Sequence, residues 1–284
     1  MKPERVAVIT GGAGGIGQAI ARLLWEKGYR LALTDINVVA LRRVSLTFSD
    51  ISEKVLLLEH DVRQVTNWKT IIDEILQHHS RIDVLINNAG IVEPGYLEDL
   101  SPEKIHQQIE VNLLGTILGC QMILPYFKQR GEGQIINIAS LGGIVPMPGE
   151  AVYSATKFGI RGFSLSLRAE LMGSGVTVSV VCPDSVETDQ LRYELEHEEA
   201  LLSFVNKPLS PEMVAKAVWK TIQSRRAETL VPALDGFFTR LAMSVPALFF
   251  HFLPCLKRLA RRRRKSLLFR ENLQEWEGRH AKSS

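Results

Sequence analysis

The stretch VAVITGGAGGIG, residues 6–17, joins an apolar run to a loop in which five of the last eight residues are glycine. The apolar run predicts a buried strand, and the amphipathic residues 16–27 after it predict a helix. Glycines at a strand-to-helix turn allow a tight turn and let a pyrophosphate approach the helix N-terminus. The loop fits two such templates, Gly12-x-Gly14-x-x-Gly17 and Thr10-Gly11-x-x-x-Gly15-x-Gly17.

Further apolar runs alternate with helical stretches along the first 233 residues. Apolar strands without a polar face are typical of a parallel sheet covered by helices on both sides, and the alternation implies right-handed crossovers. We therefore expect an α/β fold, a Rossmann-type doubly wound parallel sheet of about seven strands, in a single domain over residues 1–233. Strands are predicted at 6–10, 31–34, 55–59, 84–86, 134–138, 176–182 and 229–231, and helices at 16–27, 37–48, 65–78, 102–128, 151–173 and 211–225.

Composition separates residues 234–284 from the rest of the chain. This C-terminal extension carries 11 basic and 4 acidic side chains, against 23 and 27 in residues 1–233. Three cysteines without CxxC spacing, Cys120, Cys182 and Cys255, predict neither a disulfide framework nor a metal site and favour a reducing compartment. The N-terminal residues run straight into a strand pattern without a secretory leader, so we expect a cytoplasmic protein.

Asp35 ends the second predicted strand, 18 residues after Gly17. An acidic side chain at this spacing accepts hydrogen bonds from an adenosine ribose and repels the 2′-phosphate of NADP. No Lys or Arg stands in the glycine loop or in the two residues after Asp35, and Arg42 and Arg43 are better explained as a solvated helix face. We therefore expect NAD rather than NADP. The alternative is a glycine-rich turn that only packs a helix on a strand.

Three polar stretches follow predicted strands or open a helix: NNAG at 87–90, INIAS ending at Ser140, and YSATK at 153–157. Tyr153 and Lys157 are four residues apart in a predicted helix and therefore share one face. A phenol has a pKa near about 10, and a nearby ammonium favours its ionised form, so the pair predicts an acid/base. Ser140 ends a strand, where open α/β sheets bind ligands.

Together these motifs make the sequence resemble the short-chain dehydrogenase/reductase family over about residues 4–232. The resemblance implies hydride transfer between a nicotinamide cofactor and a substrate alcohol or ketone. It implies that Tyr153 is the acid/base, that Ser140 holds the substrate oxygen, and that Lys157 lowers the Tyr153 pKa while bonding the nicotinamide ribose. Asn112 would interrupt its helix to hold a relay water. The cofactor-binding residues that it implies are Thr10, Gly11, Gly15, Ile16, Gly17, Asp35, Asp61, Val62, Asn88, Ala89, Gly90, Tyr153, Lys157, Pro183, Val186 and Thr188.

One position departs from the family pattern, because Pro183 is followed by Asp184 where the family usually has glycine. A carboxylate near a ring that is cationic when oxidised predicts that Asp184 favours bound NAD⁺ over NADH.

The stretch 189–206 is expected to form a substrate lid, and its leucines and Phe204 favour a lipophilic substrate such as a steroid, a retinoid or a long-chain alcohol. Two alternatives remain open. A 3-oxoacyl thioester reductase is disfavoured by Asp35, because such reductases usually use NADPH. A cofactor-binding membrane scaffold without turnover is disfavoured by the intact catalytic motif.

The extension predicts a further contact. Residues 241–256 are apolar but include His251, and we expect Pro246 and Pro254 to break the segment, so it falls short of the roughly 20 uninterrupted apolar residues of a membrane span. Seven basic residues among 257–265 follow, which favours peripheral binding at the cytosolic face of a membrane. Alternatives are a dimer-packing arm, a cover over the substrate mouth or a solvated end. Nucleic acid is not an expected partner, because no reading motif accompanies the charge.

The two long central helices predict self-association. The resemblance to the family suggests a homodimer or homotetramer built on helices 102–128 and 151–173. Both helices have apolar positions beyond those that a sheet would cover. These positions include Ile109, Leu113, Leu114, Phe158, Phe163 and Leu167.

Overall fold

The computed structural model describes residues 4–48 and 54–280. In this part of the chain seven strands form one sheet in the order β3-β2-β1-β4-β5-β6-β7, and every neighbouring pair is parallel. The expected Rossmann-type doubly wound sheet is confirmed. The strands are β1 (Val6–Thr10), β2 (Arg30–Asp35), β3 (Val55–Glu59), β4 (Val84–Asn87), β5 (Gly133–Ile138), β6 (Val176–Pro183) and β7 (Glu228–Val231).

Helices connect the strands and cover both faces of the sheet. The α-helices are α1 (Gly15–Glu26), α2 (Val38–Ser45), α3 (Val65–His79), α4 (Pro102–Gln108), α5 (Gly115–Arg130), α6 (Ala151–Glu170), α7 (Asp189–Glu196), α8 (Pro211–Ser224), α9 (Ala233–Ser244) and α10 (Pro246–His280). A π-helical segment, Ile109–Leu114, joins α4 to α5, and short 3₁₀ helices lie at Leu97–Asp99, Leu141–Gly143 and Leu201–Phe204.

The strands are apolar because both of their faces are covered. All five residues of β1 are buried, as are the four of β4 and the six of β5. On one face Ile20, Leu41 and Val214 bring α1, α2 and α8 against the sheet. On the other face Trp68 and Phe127 belong to a second core cluster, which packs α3 and α5 against the sheet. Burial of both faces explains the continuous apolar runs.

The sheet order reverses between β1 and β4, and this reversal positions the site. Both β2 and β4 pair with β1, so the crossover connections leave β1 in opposite directions. In open α/β sheets such a switch point opens a crevice at the carboxyl ends of the strands. Thr10, Asn87 and Asp35 stand at these ends.

The extension departs from the expected broken segment. Pro246 is the first residue of α10, a position that tolerates proline, and Pro254 lies inside the same helix, which runs on to His280. Residues 246–256 of the apolar part and the basic run therefore belong to one continuous helix, whereas residues 241–244 end α9.

The expected oligomer face is smaller than the sequence indicates. Leu167 is 7% exposed and belongs to the core of its own chain, so its apolar character is explained without a second subunit. Ile109, Leu114 and Phe158 are each about 40% exposed.

In the described residues one helical stretch, Pro102–Arg130, has the length and apolarity of a membrane span, with a mean hydropathy of 1.2. Ile123 and Phe127 of this stretch lie in the core against the sheet. Buried helices of α/β folds commonly have this composition. The stretch is therefore explained by its place in the core.

Candidate active site

The glycine turn after β1 is built around close backbone approaches. Gly11 has a φ of +63°, and a Cβ there would lie 2.9 Å from the Cα of Ala89. A Cβ at Gly17 would lie 2.2 Å from the carbonyl oxygen of Gly11, which is closer than atoms can pack. A Cβ at Gly15 would lie 2.9 Å from Cγ2 of Thr188. The turn therefore keeps its shape only with glycine at these positions.

Asp35 closes this turn from the end of β2. Its Oδ2 accepts a hydrogen bond from the backbone N–H of Ala13 at 3.0 Å, and its Oδ1 accepts one from that of Asn37 at 3.0 Å. The carboxylate therefore lies beside the loop where the sequence places an adenosine ribose. Two backbone donors fix its orientation.

The NNAG motif fastens β4 to the same turn. Asn88 Nδ2 donates to the carbonyl oxygens of Thr10 and Gly11 at 3.0 and 3.1 Å. The Thr10 hydroxyl accepts hydrogen bonds from the backbone N–H groups of Asn88 and Ala89, both at 3.0 Å. These bonds set the distance between the two strand ends.

A cavity of about 670 Å³ opens over these strand ends. Fourteen of the sixteen expected cofactor-binding residues, together with Ser140, line it, and Thr10 and Gly17 lie outside the lining. The fourteen are Gly11, Gly15, Ile16, Asp35, Asp61, Val62, Asn88, Ala89, Gly90, Tyr153, Lys157, Pro183, Val186 and Thr188. Thr10 and Gly17 contribute to the shape of the cavity indirectly, because they stabilise the glycine turn that borders it.

Two residues near Asp61 were not expected from the sequence. Arg63 forms a bidentate ion pair with Asp61, with Nη2 at 2.8 Å from Oδ2 and Nε at 2.9 Å from Oδ1, and this pairing lowers the pKa of Asp61. His60 is buried, bonds Thr34 through Nδ1 at 2.9 Å, and has its pKa lowered to about 4 by burial. Arg63 is therefore already neutralised, and His60 is uncharged near neutral pH.

Tyr153, Ser140 and Lys157 meet in the deep part of the cavity. Ser140 hydrogen-bonds Tyr153, and the Lys157 Nζ lies 5.5 Å from the centre of the Tyr153 ring. Lys157 Nζ also donates to the carbonyl oxygen of Ile138 at 3.2 Å. Burial lowers the pKa of Lys157 to about 8.

The pKa of Tyr153 differs from the expectation. Burial raises this pKa, Glu194 and Glu150 raise it further, and the hydrogen bond to Ser140 lowers it. These four causes, of which burial is the largest, outweigh any effect of the nearby Lys157 ammonium in the absence of a cofactor. In this state the phenol is protonated and is a proton donor.

Asn112 lies in the π-helical segment and is fully buried. Its Oδ1 accepts from the backbone N–H of Ile91 at 2.8 Å, and its Nδ2 donates to the Ile91 carbonyl at 2.9 Å and to Thr156 Oγ1 at 3.2 Å. The expected interruption of the helix is present. Its amide has protein partners, so the relay water is not needed to explain its burial.

Two carboxylic acids in the cavity wall were also missed by the sequence analysis. Glu150 stands at the N-terminal boundary of α6, three residues before Tyr153, and Glu194 lies on α7. Both are buried, and burial raises the pKa of Glu150 well above its usual range and that of Glu194 to about 7. The spacing from Glu150 to Tyr153 was the one available signal. Glu194 stands among charged neighbours that indicate a solvated helix.

The lid and the extension close the cavity. The stretch 189–206 forms α7 and a 3₁₀ helix, and its Leu191 and Leu202 line the cavity. Phe238, Phe249 and Leu256 of α9 and α10 line it too. Part of the extension therefore covers the substrate mouth, as one of the alternatives for this segment predicts.

The basic part of α10 fastens the lid. The guanidinium of Arg264 donates through Nε to the carbonyl oxygen of Leu195 at 3.0 Å, and that of Arg263 donates to the carbonyl oxygen of Val205. Leu267 and Leu268 pack against the apolar side of the lid. These arginines are therefore engaged by the chain itself.

The residues fit a dinucleotide. The glycine turn leaves a cradle that side chains would fill, Asp35 stands at the ribose position, and the Tyr153, Ser140 and Lys157 side chains lie at the far end of the same cavity. This arrangement defines the class of nicotinamide-dependent oxidoreductases.

The comparisons with known proteins agree. A model of the short chain dehydrogenase family matches residues 5–199. The chain is 33% identical to the human 3-oxoacyl-[acyl-carrier-protein] reductase over 189 residues, which are 66% of this chain and 78% of that protein. The chain belongs to the short-chain dehydrogenase/reductase family, whose members act on CH–OH groups with a nicotinamide cofactor.

Two solved structures share the fold. One is a short-chain dehydrogenase/reductase from Burkholderia phymatum in complex with NAD, at 25% identity and a TM-score of 0.77, covering 85% of this chain and 93% of that one. The other is an actinorhodin polyketide ketoreductase variant with NADPH, at 31% identity and a TM-score of 0.75, covering 81% and 96%. Both cofactors therefore occur among similar proteins.

Proposed function

We propose that this protein is an NAD-dependent dehydrogenase that interconverts a secondary alcohol and a ketone on a lipophilic substrate. The observation that carries the proposal is the single cavity that joins Asp35 and the glycine turn to Tyr153, Ser140 and Lys157. A cofactor site and a proton-transfer site are thus one continuous space. When bound, the nicotinamide accepts or delivers the hydride.

The chain's own residues handle the substrate oxygen and its proton. Ser140 holds the oxygen by a hydrogen bond and orients it toward the phenol of Tyr153. Tyr153 gives its proton to the oxygen during reduction and takes it back during oxidation. The Lys157 ammonium supports the phenolate left after donation. Asn112 positions the backbone of Ile91 beside this group through two hydrogen bonds.

Asp35 supports the preference for NAD. The cavity-lining cations are Arg63 and Lys157, and the first is paired with Asp61 while the second lies beside Tyr153. A 2′-phosphate beside Asp35 would meet a carboxylate and no available cation among the described lining residues.

The cavity wall on the lid side supports a lipophilic substrate. Apolar side chains reach it from α7, α9, α10, the 3₁₀ helix at 201–204 and the loop before α6. An apolar wall gains free energy from an alkyl or ring system that is removed from water. These side chains are Val145, Met147, Leu191, Leu202, Phe238, Phe249 and Leu256.

The test is NADH formation from secondary alcohols of rising chain length, with NAD⁺ and NADP⁺ compared. We expect kcat/KM with NAD⁺ to rise with chain length and Tyr153→Phe to lower it by a factor of about 10² to 10⁴. NADH binding by Tyr153→Phe should stay within about threefold of the wild type, because the variant loses one hydroxyl. Turnover that survives in Tyr153→Phe would contradict the proposal.

A 3-oxoacyl thioester reductase is the second candidate, since the human relative carries that activity in its name. Reduction of acetoacetyl-CoA with NADH and NADPH tests it directly. Efficient reduction of this thioester, with no turnover of the alcohols, would assign the chain to the second candidate. Tight NADH binding without turnover of either class would instead indicate a cofactor-binding scaffold.

We also propose that the extension holds the protein peripherally on an anionic membrane. Phe237, Leu241, Phe250 and Phe252 are 56–59% exposed on α9 and α10. The basic run 257–265 continues α10 from these side chains. Aromatic side chains beside a cationic stretch favour an interfacial position.

Sedimentation with phosphatidylserine vesicles tests the membrane proposal. The double variant Phe250→Ser, Phe252→Ser should shift the protein to the supernatant, whereas Met172→Ser, at an 82% exposed side chain outside the extension, should not. Point variants are preferable to deleting 240–284, since Phe249 and Leu256 line the cavity. Equal sedimentation of the double variant and the wild type would contradict the proposal.

The exposed face of the π-helical segment and α6 supports a homodimer or homotetramer. Ile109, Leu114 and Phe158 provide an apolar surface of the kind that a symmetric interface buries. Phe158→Glu should lower the mass measured by sedimentation equilibrium to that of one chain. A wild-type mass of one chain would overturn this assignment.

A further inference from the structure

Two buried carboxylic acids that lie close to each other line the substrate end of the cavity. Glu150 comes from the start of the helix that carries Tyr153, and Glu194 comes from the lid helix α7. They are 2% and 8% exposed, and both line the cavity. Both also act electrostatically on the Tyr153 phenol, so they lie near the point where the substrate oxygen binds.

The partners of these two acids in the protein are neutral and weak. Ser203 Oγ donates to the two Glu150 oxygens at 3.4 and 3.3 Å, and Gln190 Nε2 donates to Glu194 Oε1 at 3.5 Å. Ser203 also hydrogen-bonds Glu194. These bonds are at the long end of the hydrogen-bond range. The groups that shift the pKa of Glu150 are burial, Glu194 and Ser203, and none of them is a cation.

A pair of this kind has acceptor capacity to spare. Burial raises the pKa of both acids, so the pair shares a proton near neutral pH, and the four carboxyl oxygens still offer more lone-pair positions than the protein bonds described here satisfy. Acids at such depth are usually matched by a cation or by several donors, because burial of their charge is costly. A ligand in the cavity can supply donors to the carboxyl oxygens that face it.

We propose that Glu150 and Glu194 determine specificity by accepting hydrogen bonds from an O–H or N–H donor that the substrate carries close to its reacting carbon. The proposal rests on the proposed function, in which this cavity takes a secondary alcohol. It narrows the substrate class from a simple lipophilic alcohol to a lipophilic alcohol with an adjacent hydroxyl or amino group.

The same pair rejects substrates that lack the donor. An ether oxygen or an alkyl group at the same place would bring no proton to the carboxyl oxygens, so the hydrogen bond that a donor group makes there would be lost. Sites built to bond a polar substrate group discriminate strongly against analogues without it. We therefore expect recognition of the donor rather than of polarity in general.

The first test is calorimetric binding to the protein saturated with NADH, in which alcohols bind without reacting. The ligands are 2-octanol, 2,3-octanediol, 3-amino-2-octanol and 3-methoxy-2-octanol, which differ only beside the reacting carbon. Either donor ligand should bind about tenfold or more tightly than 2-octanol, and the methoxy ligand should bind no better than 2-octanol. The diol and amino arms show whether the donor is O–H or N–H.

A matched pair of variants assigns the effect to the lid acid. Glu194→Met removes the acceptor at similar volume and should reduce the preference for the donor ligands to within about twofold. Glu196→Met makes the same change two residues further along α7, at an exposed position, and should keep the wild-type preference. The NADH affinity of each variant, measured first, shows that the cofactor site is intact.

The outcomes separate the two proposals. Equal binding of the diol, the amino alcohol and 2-octanol by the wild type would overturn the donor subsite while leaving the dehydrogenase proposal to be judged on turnover. A donor preference that persists in Glu194→Met would also overturn it. Donor-selective binding that Glu194→Met abolishes would support the subsite even if none of these alcohols is oxidised.

Discussion

Gly15 and Thr188 face each other across the cleft so closely that a Cβ on the glycine would lie 2.9 Å from the threonine Cγ2. Gly15 begins α1, whereas Thr188 stands directly before α7 and accepts a hydrogen bond from the Leu191 N–H at 3.4 Å. The cofactor turn and the start of the lid therefore share one contact. We therefore expect a substitution at Gly15 to displace Thr188, and a larger side chain at residue 188 to displace the glycine turn.

Gly15→Ala should weaken NADH binding by about tenfold or more, since the added methyl group must displace the start of the lid. Fluorescence titration of NADH measures the change. Gly162→Ala is the control, because a Cβ at Gly162 meets no atom within 4 Å, and NADH affinity should be unchanged there. Unaltered NADH affinity in Gly15→Ala would contradict the prediction, because the start of the lid would then move without a cost in binding free energy.

Asp35→Asn should raise the ratio of kcat/KM for NADP⁺ to that for NAD⁺ by about tenfold, because it removes the charge that repels a 2′-phosphate. The amide keeps one acceptor for the Ala13 N–H, so the turn should persist. Glu59→Gln is the matched control, and it should leave the ratio unchanged. Glu59 pairs with Asp35 in the β2–β3 register but is exposed and outside the cavity lining. An unchanged ratio in Asp35→Asn would contradict a discriminating role.

Lys157→Met should stabilise the protein near pH 7 while abolishing turnover. Burial lowers the pKa of Lys157 from 10.5 to about 8, so between these values the unfolded chain binds more protons than the folded one. The contribution of this lysine to the free energy of unfolding therefore rises with pH through that window and is lowest below pH 8.

Urea denaturation at pH 7 and above pH 10 measures the effect. We expect a gain of about 1–2 kcal/mol for Lys157→Met at pH 7 that disappears at the higher pH. Lys216→Met, at an exposed position of α8, should change stability by less than about 0.5 kcal/mol at both values. A loss of stability in Lys157→Met at pH 7 would mean that the bond to Ile138 outweighs the cost of burial.

Asp184→Asn should lower the ratio of NAD⁺ affinity to NADH affinity about two- to threefold, because it removes a negative charge from the cavity wall. Burial raises the pKa of Asp184, and Asn206 Nδ2 donates to its Oδ2 at 2.7 Å, so the side chain also holds the end of the lid.

Asn206→Ala separates the two effects, since it removes this hydrogen bond and leaves the charge. Both affinities are measured by titration of the two cofactors. If Asn206→Ala changes the ratio as much as Asp184→Asn does, the charge is not the cause.

The sheet could be predicted because each strand is buried on both faces and is therefore continuous in its apolar residues, as in Val6–Thr10. Strand ends then place Asp35, Asn88 and Ser140 at one edge by topology alone. The break at Asn112 also followed from the family resemblance, and a π-helical segment provides it. In each case local sequence and tertiary position agree.

Other features depend on contacts that no local pattern contains. Glu194 lies in a strongly charged stretch, and only the approach of Ser203 and α6 buries it. Pro254 predicts a break, but α10 continues through it. Arg63 is neutralised by a neighbour two residues away, a pairing that depends on the loop conformation after β3. A tertiary contact outweighs the local signal at Glu194, whereas at Pro254 and Arg63 the local backbone conformation decides.

The continuity of α10 gives the extension a mechanical property. Phe249 lines the cavity, and Arg264 donates a hydrogen bond to the lid. The two residues are fifteen positions apart on one helix, which corresponds to about 22 Å at 1.5 Å per residue. Tilting a helix of this length by about 5° about one end moves the other by about 2 Å. A partner or surface that binds the outer side of α10 would therefore move the cavity wall at Phe249 and the lid contact at Arg264 together.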